Sequence, residues 1–242
     1  MKGENLVKHQ ELDSLKRTAR IVGALFLTAM VGSLVGGVAF VEPSLTAPDY
    51  LTVLSENETR VIVGVFLELV NGIAVLGIGV FTFPILRQRD EHIALGYLGL
   101  RIVESVFCCV IVISPLSLIT LSQAYVRAGA ADAAYYQAAG ALSIAEREGV
   151  AGLLIPVFFG LGSLLFYRAL YQSRLLPRSI SVWGFVGAAL ILVLNLLLAF
   201  GVQVGSAGMV LALPIISNEI LLGIWLIAKG FDPSATASGA AE

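Results

Sequence analysis

The sequence predicts an all-α membrane protein: a six-transmembrane-helix bundle with both termini cytoplasmic. Three observations carry that prediction. Hydrophobic residues make up 57% of the 242 and charged residues 13%, against about 45–50% and about 25% in soluble domains. The mean hydropathy is +0.90. The apolar residues fall into runs long enough to span a bilayer, and lysine and arginine concentrate in alternate turns between those runs.

Residues 1–20 form a basic amino-terminal segment with Lys2, Lys8, Lys16, Arg17 and Arg20. The first span, about 21–41, is apolar throughout. It is longer than the roughly 7–15-residue core of a signal peptide and no clear A-x-A site follows, so a retained helix is expected. Gly32-x-x-x-Gly36 and Ser33-x-x-x-Gly37 within it allow close helix contact. Residues 42–60 hold Pro43, Pro48 and several acids, and are expected to form a loop. The second span, about 61–86, carries Glu68 and Asn71 on one face and ends near Pro84. After a charged turn the third span, about 93–122, contains Arg101 and Glu104, and Pro115 is expected to kink or end it.

The stretch 123–147 is rich in alanine and holds Tyr125, Tyr135 and Tyr136. Tyrosine favours the headgroup level, so a loop with a short interfacial helix is expected there. The fourth span, about 148–171, contains Pro156; the fifth, about 180–201, carries Asn195, expected to join helices. The sixth, about 208–229, holds Asn218 and Glu219. Residues 230–242 are small and polar and are expected to be a disordered cytoplasmic tail.

Several function classes find no support. A net charge of −2 offers nothing to nucleic acid. Cys108 and Cys109 are neighbours within a span, where ordinary disulfide geometry is closed to them. His9 and His92 lie outside the apolar runs, which argues against an intramembrane zinc site. The chain shows no Gly-x-Ser-x-Gly elbow, metal-ligand cluster or phosphate loop. No catalytic residue, cofactor or metal is therefore assigned.

What remains is a polar cluster inside the spans: Arg101, Glu104, Glu219, Asn218, Glu68 and Asn71. Charge at the centre of a span costs about 2.5–3.5 kcal/mol on insertion scales, and such groups face the bundle interior or a wet cavity. At about 1.5 Å of rise per residue, Arg101 lies roughly 12 Å deep from the cytoplasmic side, and Glu104 and Glu219 lie near the midplane. Arg101 is thus expected to bridge Glu104 and Glu219. Glu68, in the outer half, is expected to sit apart with Asn71 and to carry a proton. Arg174 and Arg178, around Pro177, are candidate contacts for anionic lipid headgroups.

Three blocks give a resemblance: Leu95-Gly-Tyr-Leu-Gly-Leu-Arg-Ile-Val-Glu104, Tyr171-Gln-Ser-Arg-Leu-Leu-Pro-Arg-Ser-Ile-Ser-Val-Trp-Gly184 and Asn218-Glu-Ile-Leu-Leu-Gly-Ile-Trp-Leu-Ile-Ala-Lys-Gly-Phe231. Through them the chain, from about residue 17 to 231, resembles a bacterial integral-membrane family known as domain of unknown function 4386. The resemblance implies a six-helix membrane protein and supplies no activity; the inner membrane is the expected location. Three functions stay open: a small transporter or a lipid-headgroup or proton site, a non-catalytic structural or partner protein, and a carboxylate-based lipid enzyme. Membrane lipids and a second copy of the chain are the expected partners.

Eleven lysines and arginines flank one face of the predicted bundle and three, Arg60, Arg127 and Arg147, the other. Reporter fusions test the threading. Fusions after Leu54 and Tyr136 are expected to report the outside, and fusions after Arg89 and Ser173 the cytoplasm. A cytoplasmic signal at Leu54 contradicts it.

Overall fold

The computed structural model describes residues 2–129, 132–205 and 207–232. The expected disordered tail lies, from residue 233 onward, outside the described residues. Among those residues every regular element is a helix. Six helical stretches are long and apolar enough to cross a membrane: Leu12–Leu45, Glu58–Arg87, Glu91–Ala128, Ala133–Ser173, Arg178–Ala199 and Ala207–Ala228. Their outer faces expose large apolar side chains such as Phe66, Ile73 and Val210, as a lipid solvent requires.

In chain order the elements are α1 (Lys2–Val31), a π-helical segment (Gly32–Val41), α2 (Glu42–Leu45), α3 (Tyr50–Glu56) and α4 (Glu58–Arg87). They continue with α5 (Glu91–Val110), α6 (Ile113–Ala128), α7 (Ala133–Gly149), a second π segment (Val150–Leu154), α8 (Ile155–Ser173), α9 (Arg178–Ala199) and α10 (Ala207–Ala228). Residues 42–60, expected as a loop, and 123–147, expected as a loop with a short interfacial helix, are largely helical. Residues 42–60 form α2, α3 and the start of α4, with Pro43 in the first turn of α2, where proline fits. The alanine-rich stretch after residue 132 becomes α7 and runs on into α8. Alanine is the strongest helix former, and a helix need not be apolar to continue beyond the span it belongs to.

The chain forms two compact units. One comprises Thr28–Ile73 and Glu104–Ile155. Its core gathers Val41, Leu45, Leu54, Val61, Val65, Ile111, Val112, Leu118 and Ile119. The glycines of the first π segment let it lie directly on α4. A Cβ on Gly36 would meet Gly64 O at 2.8 Å, and one on Gly32 would meet Leu67 O at 2.6 Å. The Gly32-x-x-x-Gly36 spacing thus serves the close contact it allows. Tyr50 of α3 donates its hydroxyl to Gln137 O of α7 at 2.9 Å.

The other unit comprises Met1–Leu27, Ala74–Val103 and Pro156–Glu242. Here α9 packs along α10, and α1 meets α10 where a Cβ on Gly23 would lie 2.6 Å from Gly223 O. Its interior is aromatic: the Tyr97 ring stacks on Phe166 at 4.9 Å between centroids, and Tyr167 fills the space opposite Gly184.

Candidate functional site

The polar centre of the first unit is built around Arg147, which is only 3% exposed. Two features of chain geometry bring it there. Pro115 has no N–H to offer the carbonyl four residues before it, that of Ile111. Arg147 Nη1 donates to that freed oxygen at 3.1 Å. Second, both π segments re-phase the helices that meet here. A π-helix closes i→i+5 bonds, and the Glu42 N–H reaches back to Gly37 O. With roughly four to five residues per turn, Ser33, Gly37 or Val38, and Glu42 fall on one face, and so do Arg147, Ala151 and Ile155. All of these line one cavity.

Arg147 is held by two carboxylates. Nη1 donates to Glu68 Oε2 at 3.2 Å, and Nη2 donates to Glu68 Oε1, a two-pronged pairing between buried side chains. Nε donates to Glu42 Oε1 at 3.0 Å. Glu42 remains 40% exposed. Glycine at 37 is needed for this arrangement, because a Cβ there would lie 2.9 Å from Glu68 Oε1. The cavity has a volume of about 250 Å³ and is also bordered by Asn71, Cys108 and Ile111. Asn71 Nδ2 donates weakly to Cys108 Sγ at 3.7 Å.

Glu68 therefore has a cation, Arg147, as its partner, where it was expected to sit apart with Asn71. Asn71 does border the same cavity. The missed residues are Arg147 and Glu42, both at the edges of apolar runs. A signal for Arg147 was present: Gly140, Ile144, Arg147, Ala151 and Ile155 form a helical stripe, with Glu146 and Glu148 on exposed faces. Expecting only a short interfacial helix within residues 123–147 hid that stripe.

The remaining cluster residues divide between the units. Glu104, 3% exposed, belongs to the same unit as Glu68 and Asn71. Arg101, Asn218 and Glu219 belong to the other. Arg101 is 2% exposed, and its Nε donates to the Tyr97 hydroxyl at 3.0 Å. Its guanidinium also lies 5.3, 5.6 and 6.0 Å from the ring centres of Tyr97, Phe159 and Phe26. Cation–π contacts of this kind reach about 2 kcal/mol when desolvated. Asn218, fully buried, donates to Ile180 O at 2.9 Å, and the half-buried Glu219 acts electrostatically on Tyr167. Asn195 donates at 2.8 Å to Ile191 O of its own helix, rather than to a neighbour as expected.

Arg174 takes a left-handed φ of 55° just past the end of α8. With Pro177, Trp225 and Lys229 it borders a surface cavity of about 310 Å³. Arg178 lies over the Tyr171 ring at 5.1 Å.

A family model described as "Domain of unknown function (DUF4386)" matches residues 21–230. The chain belongs to that family. No curated protein and no solved structure matches it. Membership agrees with a multi-pass helical membrane protein and leaves its activity to be argued from the site.

Removing one partner of a buried ion pair typically costs about 3–5 kcal/mol, because the other charge is stranded. Arg147→Leu is expected to lower the melting temperature in detergent by a corresponding amount. Arg147→Leu combined with Glu68→Leu is expected to recover part of the loss. A double variant no better than the single contradicts the pairing.

Proposed function

We propose that this chain is a small-solute-binding membrane protein of the transporter type. It sits in the plasma membrane with both termini cytoplasmic, and its solute occupies the Glu42–Glu68–Arg147 cavity. The observation that carries this reading is that the buried charges border about 250 Å³ of space. Charges that only tie helices together need no adjoining space, whereas this cavity opens beside the pair and reaches the partly exposed Glu42. Intramembrane charges beside a cavity are the usual mark of a solute or ion path. Helices broken by π turns and proline beside the site are typical of transport proteins.

The threading that opens the cavity outward rests on the basic flanks, and the burial of Arg147 sharpens that asymmetry. Of the three cations assigned to the outer face, Arg60 and Arg127 are exposed while Arg147 belongs to the buried site. Arg174 and Arg178 suit anionic headgroups at the opposite, cytoplasmic face. The Cys108 thiol also borders the cavity, against the Asn71 amide N–H.

Thiol accessibility tests the reading. In a Cys108→Ser, Cys109→Ser background, Ser33→Cys places a thiol at the cavity, and Ile73→Cys places one on a lipid-facing surface. A charged, membrane-impermeant thiosulfonate added outside is expected to modify the Ser33→Cys protein and leave the Ile73→Cys protein intact. Equal protection of both thiols contradicts a water-filled cavity.

A further inference from the structure

The hydrogen-bond valences around Arg147 decide the sign of what the cavity takes. A guanidinium has five N–H donors in a fixed fork and no acceptor. Four of the Arg147 donor positions are engaged: one with Glu42, two with Glu68 and one with the Ile111 carbonyl. An incoming anion would find at most one donor there and would have to displace a carboxylate to gain more. The acceptors are differently placed. Glu42 is 40% exposed, and among the described residues its second oxygen has no hydrogen-bond partner. The Asn71 carboxamide uses its N–H on a sulfur, which leaves its oxygen open. One arginine against two carboxylates gives the site a formal charge of −1.

The remaining wall narrows the class. Val38, Ile111 and Ile155 add apolar side chains to the lining of the cavity. A divalent metal ion asks for six or more oxygen ligands, usually with several carboxylates or waters. Here both oxygens of Glu68 are already bound to Arg147. A group with N–H donors and a short alkyl body uses both kinds of lining. The volume, about 250 Å³, is many times the roughly 10–15 Å³ that a single water needs, enough for a compact organic cation.

From this geometry we infer that the cavity's ligand is a small alkylammonium cation, held by the Glu42 carboxylate and the Asn71 carboxamide oxygen. Arg147 is then a positioning residue. It locks Glu68 and turns Glu42 toward the cavity without touching the ligand. The inference rests on the cavity being a binding site, and the experiment separates failure of one from failure of the other.

Purified full-length protein in detergent is titrated by calorimetry with propylammonium chloride, and separately with sodium propionate at the same ionic strength. Saturable binding of propylammonium alone is expected. Glu42→Gln keeps an acceptor for Arg147 Nε and removes the charge, so propylammonium affinity is expected to fall at least about tenfold. Asn71→Leu, which leaves Arg147 untouched, is expected to weaken binding as well. An unchanged melting temperature in each variant separates lost binding from lost folding. Binding of propionate alone, or of both ions equally, overturns the cation assignment while the cavity remains a binding site. Binding of neither ion overturns both.

Discussion

The pairing of Arg147 with Glu68 is the constraint around which its unit is arranged. Both side chains are buried in helices long and apolar enough to span a membrane. The idealised cost of burying a single charge in such surroundings is far larger than any single packing term. Attraction between the two offsets that cost only when the geometry is good and the remaining donors are satisfied. Here the fork of the guanidinium meets both Glu68 oxygens, and the other donors reach Glu42 and a backbone carbonyl. Each of those partners exists because of a local departure from regular helix.

Those departures form a causal chain. Pro115 cannot donate to Ile111, so a carbonyl within the third span is left for Arg147. The first π segment turns Glu42 onto the face that carries Ser33 and Gly37, and the second keeps Ala151 and Ile155 in line with Arg147. Gly37 leaves room for the Glu68 carboxylate, and Gly36 and Gly64 let the two backbones approach. Irregular turns inside membrane helices are tolerated where neighbouring groups take up the freed hydrogen bonds. The cavity is what remains once these constraints are met.

The six spans were legible because long apolar runs have few other uses, and the breaks between them carry charge or proline. The burial of Arg101, Glu104 and Asn218 was legible for the same reason, as polar residues within such runs. The site at Arg147 was hidden by two physical facts. Its helix extends through residues too rich in alanine and charge to register as a span. Its partners, Glu68 and Glu42, lie 79 and 105 positions away along the chain, and no periodicity in sequence encodes a pairing at that range. The π turns were equally silent, since they change the phase of a helix without a distinctive residue pattern. The aromatic setting of Arg101 lay closer to view: Tyr97, whose hydroxyl it contacts, stands one helical turn earlier.

Arg101 and Arg147 show two ways of keeping an arginine within a span. Arg101 lies among aromatic rings and a tyrosine hydroxyl. Arg147 is held in place beside space, with an exposed carboxylate at its edge. The cavity beside Arg147 is what makes it the proposed solute site. The most direct measurement is an experimental map of the protein in a lipid nanodisc, at a resolution that shows ordered water. The expected map shows Arg147 paired with Glu68, and non-protein density between Glu42 and Asn71. A cavity closed by side chains, or an Arg147 turned away from Glu68 toward the headgroups, would contradict it.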